Sequence, residues 1–414
     1  MKHVAIIGAG ISGLTTAHML KEKGFSITIF EKESQPGGLI RCKRVNGSLF
    51  HICGGHIFNS KRQDVLNWFW SIFNKEEEFS KANRNSIVFL DNNLKVPYPI
   101  EDHVYLLDEQ TQKGFINDLI KISQEKESNP QNFEEFLKQR FGVTLYNLYF
   151  QPYNKKIWRK DLKNVPLSWL EGKLPMPTVP EMIYNNMNHI EEKNFVHSVF
   201  WYEKKDGSQY IANKLSQGFN IHYNSPITSI KYLNNKWEIN GTYFDYVIFC
   251  GNIKDLPSII SGINIDKYSK QIEDLEYHGT TSVFCEIDKN PYSWIYQPSQ
   301  LHESHRIICT GNFAESNNAK GMMTGTIEFT DYIDEEEIKQ NLKKMPLNPR
   351  YITHCYNKYT YPIQDVNTRK IIQEIKQYLQ PYNFFFTGRF ADWEYYNMDV
   401  AMGAAMDLCK ELNC

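Results

Sequence analysis

Two stretches of the chain carry residue types that could hold and use a phosphorylated ligand. The first is Gly8-Ala9-Gly10-Ile11-Ser12-Gly13, followed by Glu31 at the end of the next apolar run. Glycines at these spacings let a chain turn tightly, approach a pyrophosphate and pack a helix on a sheet; an acid placed after the next strand accepts hydrogen bonds from ribose hydroxyls. The helix that follows this turn presents free N–H groups to phosphate. The second stretch runs from Gly388-Arg389 through Tyr395-Tyr396 to Asn397-Met398-Asp399. It offers a planar guanidinium for charge or stacking and a second helix start. Between them lie Gly37-Gly38-Leu39 and Gly54-Gly55-His56-Ile57-Phe58, loops whose missing side chains would let backbone meet a flat ring.

These groups need a scaffold, and the apolar patterning supplies one. Val4-Ala5-Ile6-Ile7 predicts a buried strand running into the first glycine turn, and Tyr246 to Phe249 predicts another that ends on Gly251. Residues 66 to 190 are rich in helix formers and aromatics, with Phe133 and Phe136-Leu137 at helical spacing. Ser86 to Val96 predicts a hairpin around Asp91-Asn92-Asn93. Ile221 to Ile239 and residues from about 280 to 332 alternate as strands do, and the C-terminal part predicts helix, strand, glycine, helix. The fold class is α/β with a Rossmann-like dinucleotide-binding domain.

Composition narrows the partners. Across 414 residues, 46 Lys and Arg nearly balance 48 Asp and Glu, so there is no basic footprint for nucleic acid or an acidic membrane. The eight cysteines form no Cys-x-x-Cys pair, which points to a reducing compartment. Cys53 and His56 make a lone Cys-x-x-His with no second ligand pair, so no metal is expected. The N-terminal segment holds the glycine fingerprint and no small-residue cleavage site, and no apolar run reaches about 18 residues. The expected location is cytoplasmic, with no transmembrane segment.

Gly37-Gly38 just beyond the second strand resembles the glutathione-reductase-like flavoproteins more than nicotinamide dehydrogenases. Taken in order, Gly54-Gly55-His56-Ile57-Phe58, Tyr153-Asn154-Lys155-Lys156-Ile157-Trp158 and Gly388 through Asp399 resemble the UDP-galactopyranose mutases, within the amine oxidase and protoporphyrinogen oxidase-like superfamily. The resemblance implies an FAD-binding domain of glutathione-reductase type built from residues 1–80, 210–255 and 365–414. It further implies a helical insertion at 100–190 and a mainly antiparallel substrate-side sheet from 81–99, 191–209 and 256–364. It implies reduced FAD acting through N5 on the anomeric carbon of a UDP-sugar or related nucleotide sugar, with ring opening and reclosure giving a furanose for surface polysaccharide synthesis. No net electrons move, although an external reductant such as NAD(P)H must first reduce the flavin, and a homodimer is expected.

Carried over residue by residue, the resemblance places Gly8, Gly10, Ile11, Ser12, Gly13, Glu31, Lys32, Gly38, Leu39, His56, Ile57, Ile227, Gly388, Arg389, Asn397, Met398 and Asp399 around the cofactor. Asn85, Tyr153, Trp158 and Arg306 would line the nucleotide and substrate pocket, and His56, Arg306, Lys173, Tyr361 and Tyr395 would serve catalysis. The departures fall on the substrate side. One of two diphosphate arginines becomes Lys173, a point charge rather than a fork; a pocket asparagine matches Cys285; a pocket tyrosine matches Phe329.

Plainer readings stand beside these. Tyr153 and Trp158 lie in an aromatic-rich helical region where core packing is the ordinary role. Arg306 sits in an apolar strand, so it must pair with a ligand or with an internal carboxylate. Lys173 could be a solvated loop residue, and Asp334-Glu335-Glu336-Glu337 reads as a helix start that complements its dipole. The rival activity is a redox flavoenzyme of amine oxidase or protoporphyrinogen oxidase type; a third reading is a flavin-binding protein without catalysis.

Overall fold

The strand His3–Ile7 lies at the centre of a five-stranded parallel sheet whose order is Phe384–Phe386, Tyr246–Phe249, His3–Ile7, Ser26–Phe30 and Asn220–His222. The computed structural model describes residues 1–124, 129–167, 176–190 and 199–412. Side chains of a strand alternate between faces, so Val4 and Ile6 enter one buried cluster with Leu14 and Met402, while Ala5 and Ile7 enter another with Phe249 and Phe386. Both faces are covered, as a parallel sheet requires. The sheet therefore draws on three distant stretches of chain.

The second sheet has seven strands in the order Arg350–Pro362, Tyr277–Glu286, Thr324–Thr330, Arg306–Ile308, Trp294–Tyr296, Ser86–Phe89 and Lys95–Pro97. Every pairing is antiparallel except that of Trp294–Tyr296 with Ser86–Phe89. The hairpin about Asp91-Asn92-Asn93 is present, with Val88 opposite Val96. One face is apolar: Val283, Cys285, Ile295, Ile307, Ile327 and Phe329 pack with Ile338 and Leu342 of the helix Glu335–Leu342. Asp334 caps that helix by accepting from the N–H of Glu337. The opposite face carries Tyr296, Arg306, Thr326 and Glu328. Strand Phe79–Asn83 pairs with Val199–Glu203 in a separate ribbon, and Ile260–Ser261 joins a small four-stranded sheet with Ile230–Leu233, Lys236–Ile239 and Thr242–Phe244.

The helical region covers one end of this polar face. Phe133, Leu137 and Phe141 recur at four-residue spacing along the helix Phe133–Leu145 and are fully buried. Gly142, at φ 81°, breaks the helical path, and Asp118 takes the freed N–H of Thr144 at 2.7 Å. A wide π turn, Tyr146–Phe150, then feeds the helix Gln151–Trp158, which ends on a left-handed Arg159. Tyr153 and Lys156, three residues apart, share the face turned to the sheet: Tyr153 meets Tyr296, and Lys156 meets the carbonyls of Gln297 and Ser304.

Gly13 shows why the first helix begins where it does. A Cβ there would lie 2.0 Å from the Gly8 carbonyl oxygen. Helix and turn are in backbone contact, so Gly13→Ala should destabilise the protein by about 1–3 kcal/mol, the ordinary cost of overpacking; the midpoint of a urea titration against the parent chain measures it.

Candidate active site

Three glycine segments converge at the C-terminal edge of the parallel sheet. Gly37 donates to the Ala9 carbonyl at 2.9 Å, and a Cβ on Gly38 would stand 3.3 Å from the Gly10 Cα. Gly388, at φ +122°, lies against Ser12, and its N–H donates to Asp392. Glu31 is buried and accepts one backbone N–H on each oxygen, from Ala9 at 2.7 Å and Glu33 at 3.0 Å. Each oxygen keeps a lone pair for a ribose hydroxyl. The helices Ile11–Glu22 and Met398–Glu411 start here, and the hydroxyl of buried Thr387 has no partner among the described residues. Bare backbone, two helix starts, an acid with spare lone pairs and an orphaned hydroxyl fit the two phosphates and ribose of FAD.

The Gly54 loop bridges this cradle and the second sheet. A Cβ on Gly55 would come within 2.7 Å of an Ile308 methyl, so only glycine lets the loop lie on the strand Arg306–Ile308. The Gly54 N–H donates to Glu328 Oε1 at 2.8 Å. On the cradle side, the His56 ring donates through Nε2 to the Leu39 carbonyl at 3.0 Å, and its own N–H donates to His51 Nδ1 at 3.3 Å. Burial, then the Arg389 charge, lower the His56 pKa to about 4, so the ring is neutral. Burial and His56 lower His51 to about 3.

Glu328 is wholly buried, and Arg306 faces it across the strands. Arg306 donates through Nε to Glu328 Oε2 and through Nη2 to the Tyr361 phenol at 3.1 Å; a His305 ring nitrogen stands 3.6 Å from the same Oε2. Burial alone would push the carboxyl up, yet Arg306 and His305 hold it well below the usual carboxylate range. The Tyr361 ring stacks on Tyr395, with centroids 5.4 Å apart and planes 3° from parallel. The Arg389 guanidinium sits 4.6 Å from the Tyr395 centroid and donates to the carbonyls of Tyr396 and Thr360. A continuous chain of contacts thus runs from Gly54 through Glu328, Arg306, Tyr361 and Tyr395 to Arg389.

The structure gathers His56, Tyr153, Arg306, Tyr361, Tyr395 and Arg389, and it answers the question left by Arg306, whose internal carboxylate is Glu328. Others fall elsewhere. Asn85 is exposed and its amide donates to the Pro291 carbonyl at 2.9 Å; the neighbouring Arg84 is the one turned to the aromatic side chains. Lys32 is exposed, Ile227 packs against the core beside the parallel sheet, and Ile57 packs beside the helical region. Trp158 is buried in the core of the helical region, its carbonyl accepting from His278 at 3.0 Å. Cys285 and Phe329 correct an expectation, because they lie under Ile338 and Leu342 on the far face of the sheet. Lys173 lies outside the described residues. Asn397 precedes the C-terminal helix and is exposed, while Met398 and Asp399 are buried in its first turn and burial raises the Asp399 carboxyl. Glu328 escaped the sequence reading, although a lone acid in Thr324-Gly325-Thr326-Ile327-Glu328-Phe329 was its signal.

Residues 6–74 match a family model described as an NAD(P)-binding Rossmann-like domain. The dTDP-fucopyranose mutase of Escherichia coli is 25% identical over 100% of this chain and 98% of its own length. The UDP-galactopyranose mutase of Mycoplasma pneumoniae is 29% identical over 40% of this chain and 42% of its own. The chain is a relative of the sugar-nucleotide mutases. Its fold also superposes on a crystal structure of reduced UDP-galactopyranose mutase with a TM-score of 0.88, at 20% identity, covering 99% of this chain and 95% of the other.

Two outcomes follow from this geometry. Arg306→Ala leaves Glu328 buried and unpaired and should cost about 3–5 kcal/mol of stability, whereas replacing both Arg306 and Glu328 by apolar residues of similar size should recover most of it; a double-mutant cycle in chemical denaturation reads both. For His56 and His51 the unfolded chain takes up protons first. Their contribution is whole above the ordinary histidine pKa of 6.5 and declines as pH falls toward about 4 and about 3. Cofactor-free protein should lose stability across that window, and His56→Gln should flatten the decline in denaturation midpoints between pH 7 and 4.5.

Proposed function

We propose that the chain is a flavin-dependent sugar-nucleotide mutase that interconverts the pyranose and furanose forms of a UDP- or dTDP-linked hexose for surface polysaccharide synthesis. Its cofactor domain is of the glutathione-reductase type. One observation carries the reading: a charge-saturated arginine, Arg306, is braced by Glu328 and Tyr361 beside the edge where the cofactor cradle meets the second sheet. An oxidase of amines or porphyrinogens needs a largely apolar cavity there; a departing nucleoside diphosphate needs a fork.

The residues divide the work. When bound and reduced, FAD supplies a nucleophilic N5 that meets the anomeric carbon and lets the sugar leave and rejoin its diphosphate without net oxidation. Glu328 and Tyr361 occupy Nε and one Nη2 hydrogen of Arg306, leaving its Nη1 donors to grip diphosphate oxygens as charge develops on them. Burial holds the Tyr361 phenol well above its ordinary pKa, despite the opposing pull of Arg306. It therefore keeps its proton, accepts from Arg306 and can donate to the same phosphate. Tyr395, stacked between Tyr361 and Arg389, sets the width of the slot. His56, neutral and tied to Leu39, brings an uncharged ring edge to the flavin side. The free thiols of the seven described cysteines suit a reducing cytoplasm. An external reductant such as NAD(P)H and a homodimeric assembly belong to the same reading.

The test is to reduce the FAD-loaded protein anaerobically and supply UDP-galactopyranose, dTDP-fucopyranose and a panel of other nucleotide hexoses. Furanose products resolved by chromatography and NMR are expected from the reduced enzyme, with at least a tenfold lower rate from the oxidised one. Oxygen consumption with an amine or porphyrinogen, and no furanose from any sugar, would overturn the reading.

A further inference from the structure

The Arg306–Glu328 pair poses a charge problem. A nucleotide sugar brings two negative charges on its diphosphate, yet the charge of Arg306 is already matched by the buried carboxylate of Glu328. The Nε, Nη1 and Nη2 atoms of Arg389 are turned to backbone carbonyls on the flavin side. A second cation would meet the diphosphate charge that Arg306 leaves; Lys173, the candidate from the sequence, lies outside the described residues, and among the described ones Arg84 has the required placement.

Arg84 lies two residues before the strand Ser86–Phe89 and is half-buried. Its Nε donates to the Ser86 hydroxyl at 2.9 Å and its Nη2 donates to the Tyr296 phenol. The guanidinium lies 5.0 Å from the Trp294 ring centroid and 5.7 Å from that of Tyr98. No carboxylate of the described residues pairs with it. Tyr296 is the direct cross-strand neighbour of Arg306, and Tyr153 meets Tyr296 edge-on at 5.6 Å while also feeling the Arg306 charge. Arg84 and Arg306 therefore flank one tyrosine on one face of the sheet. Resting on the mutase reading above, we propose that Arg84 is a substrate-binding residue that completes a two-arginine clamp on the nucleoside diphosphate, with the rings of Tyr98, Tyr153 and Tyr296 forming the wall between the two forks.

Cation–π contact aims Arg84 without neutralising it. Serine and tyrosine hydroxyls hold two of its nitrogens and leave Nη1 for a phosphate oxygen. The clamp is asymmetric: Arg306 is rigid and electrically balanced, whereas Arg84 supplies the net positive charge.

The test is calorimetric titration of the flavin-loaded protein with UDP and dTDP, and with uridine and thymidine, for the parent chain, Arg84→Gln, Arg84→Lys and Tyr296→Phe, with the bound-flavin spectrum reporting that each variant is folded. Arg84→Gln should weaken diphosphate binding about tenfold or more and leave nucleoside binding unchanged, since only a charge-assisted hydrogen bond is lost. Arg84→Lys should restore part of the loss, and Tyr296→Phe should reproduce a smaller share of it. Equal weakening for nucleotide and nucleoside would place Arg84 under the base or in the scaffold and overturn the clamp. Unchanged diphosphate affinity in Arg84→Gln would overturn it while leaving the mutase reading intact; failure of the parent chain to bind either diphosphate would remove both.

Discussion

A carboxylate with no access to water must have its lone pairs met, and the site is arranged around meeting those of Glu328. The penalty for burying such a charge is several kcal/mol and is offset only when every neighbour is in place. Arg306 supplies the countercharge, Gly54 an N–H and His305 a ring nitrogen. Gly54 comes from one segment and the neighbours His305 and Arg306 from another, so one acid draws the Gly54 loop onto the sheet and holds Arg306 in a single orientation. The loop can come that close only because Gly55 has no Cβ to strike Ile308. His56 is then carried to the Leu39 carbonyl, on the cradle side of the same loop.

The cradle is governed by a different constraint, the distance of closest approach between backbones. Gly13 touches the Gly8 carbonyl, Gly38 faces Gly10, and Gly388 lies against Ser12, so three turns share a space that side chains would fill. What remains on the surface is N–H groups and helix starts, which favour phosphate over any uncharged ligand. The two constraints meet along the line from Glu328 to Arg389. At one end a cation is balanced by a carboxylate; at the other its charge is spread over carbonyls and the face of Tyr395.

The sheets and helices were readable where neighbours in sequence are neighbours in space. Val4 to Ile7, the Asp91-Asn92-Asn93 hairpin, the helix from Phe133 and the cap at Asp334 all follow from local period, turn chemistry or capping. The site was readable only in part. Motif positions such as His56, Tyr361 and Arg389 did converge, but Asn85 and Trp158 did not enter the network they were expected to join. In strands a shift of one residue reverses the face, which is why Cys285 and Phe329 sit under a helix; in the short link before Ser86 it is Arg84, beside Asn85, that is aimed at the aromatic wall.

The amino-acid sequence by itself determined the dinucleotide cradle, because its requirements are local: a strand, glycines at set spacing, a helix start and an acid one strand later. Tertiary structure alone decided which charges balance. Arg306 needed a carboxylate from a strand 22 residues away in sequence. Arg84 acquired its aromatic surroundings from Tyr98, Trp294 and Tyr296. Electrostatic pairing acts through space and low dielectric, and neither is written in the order of residues along the chain.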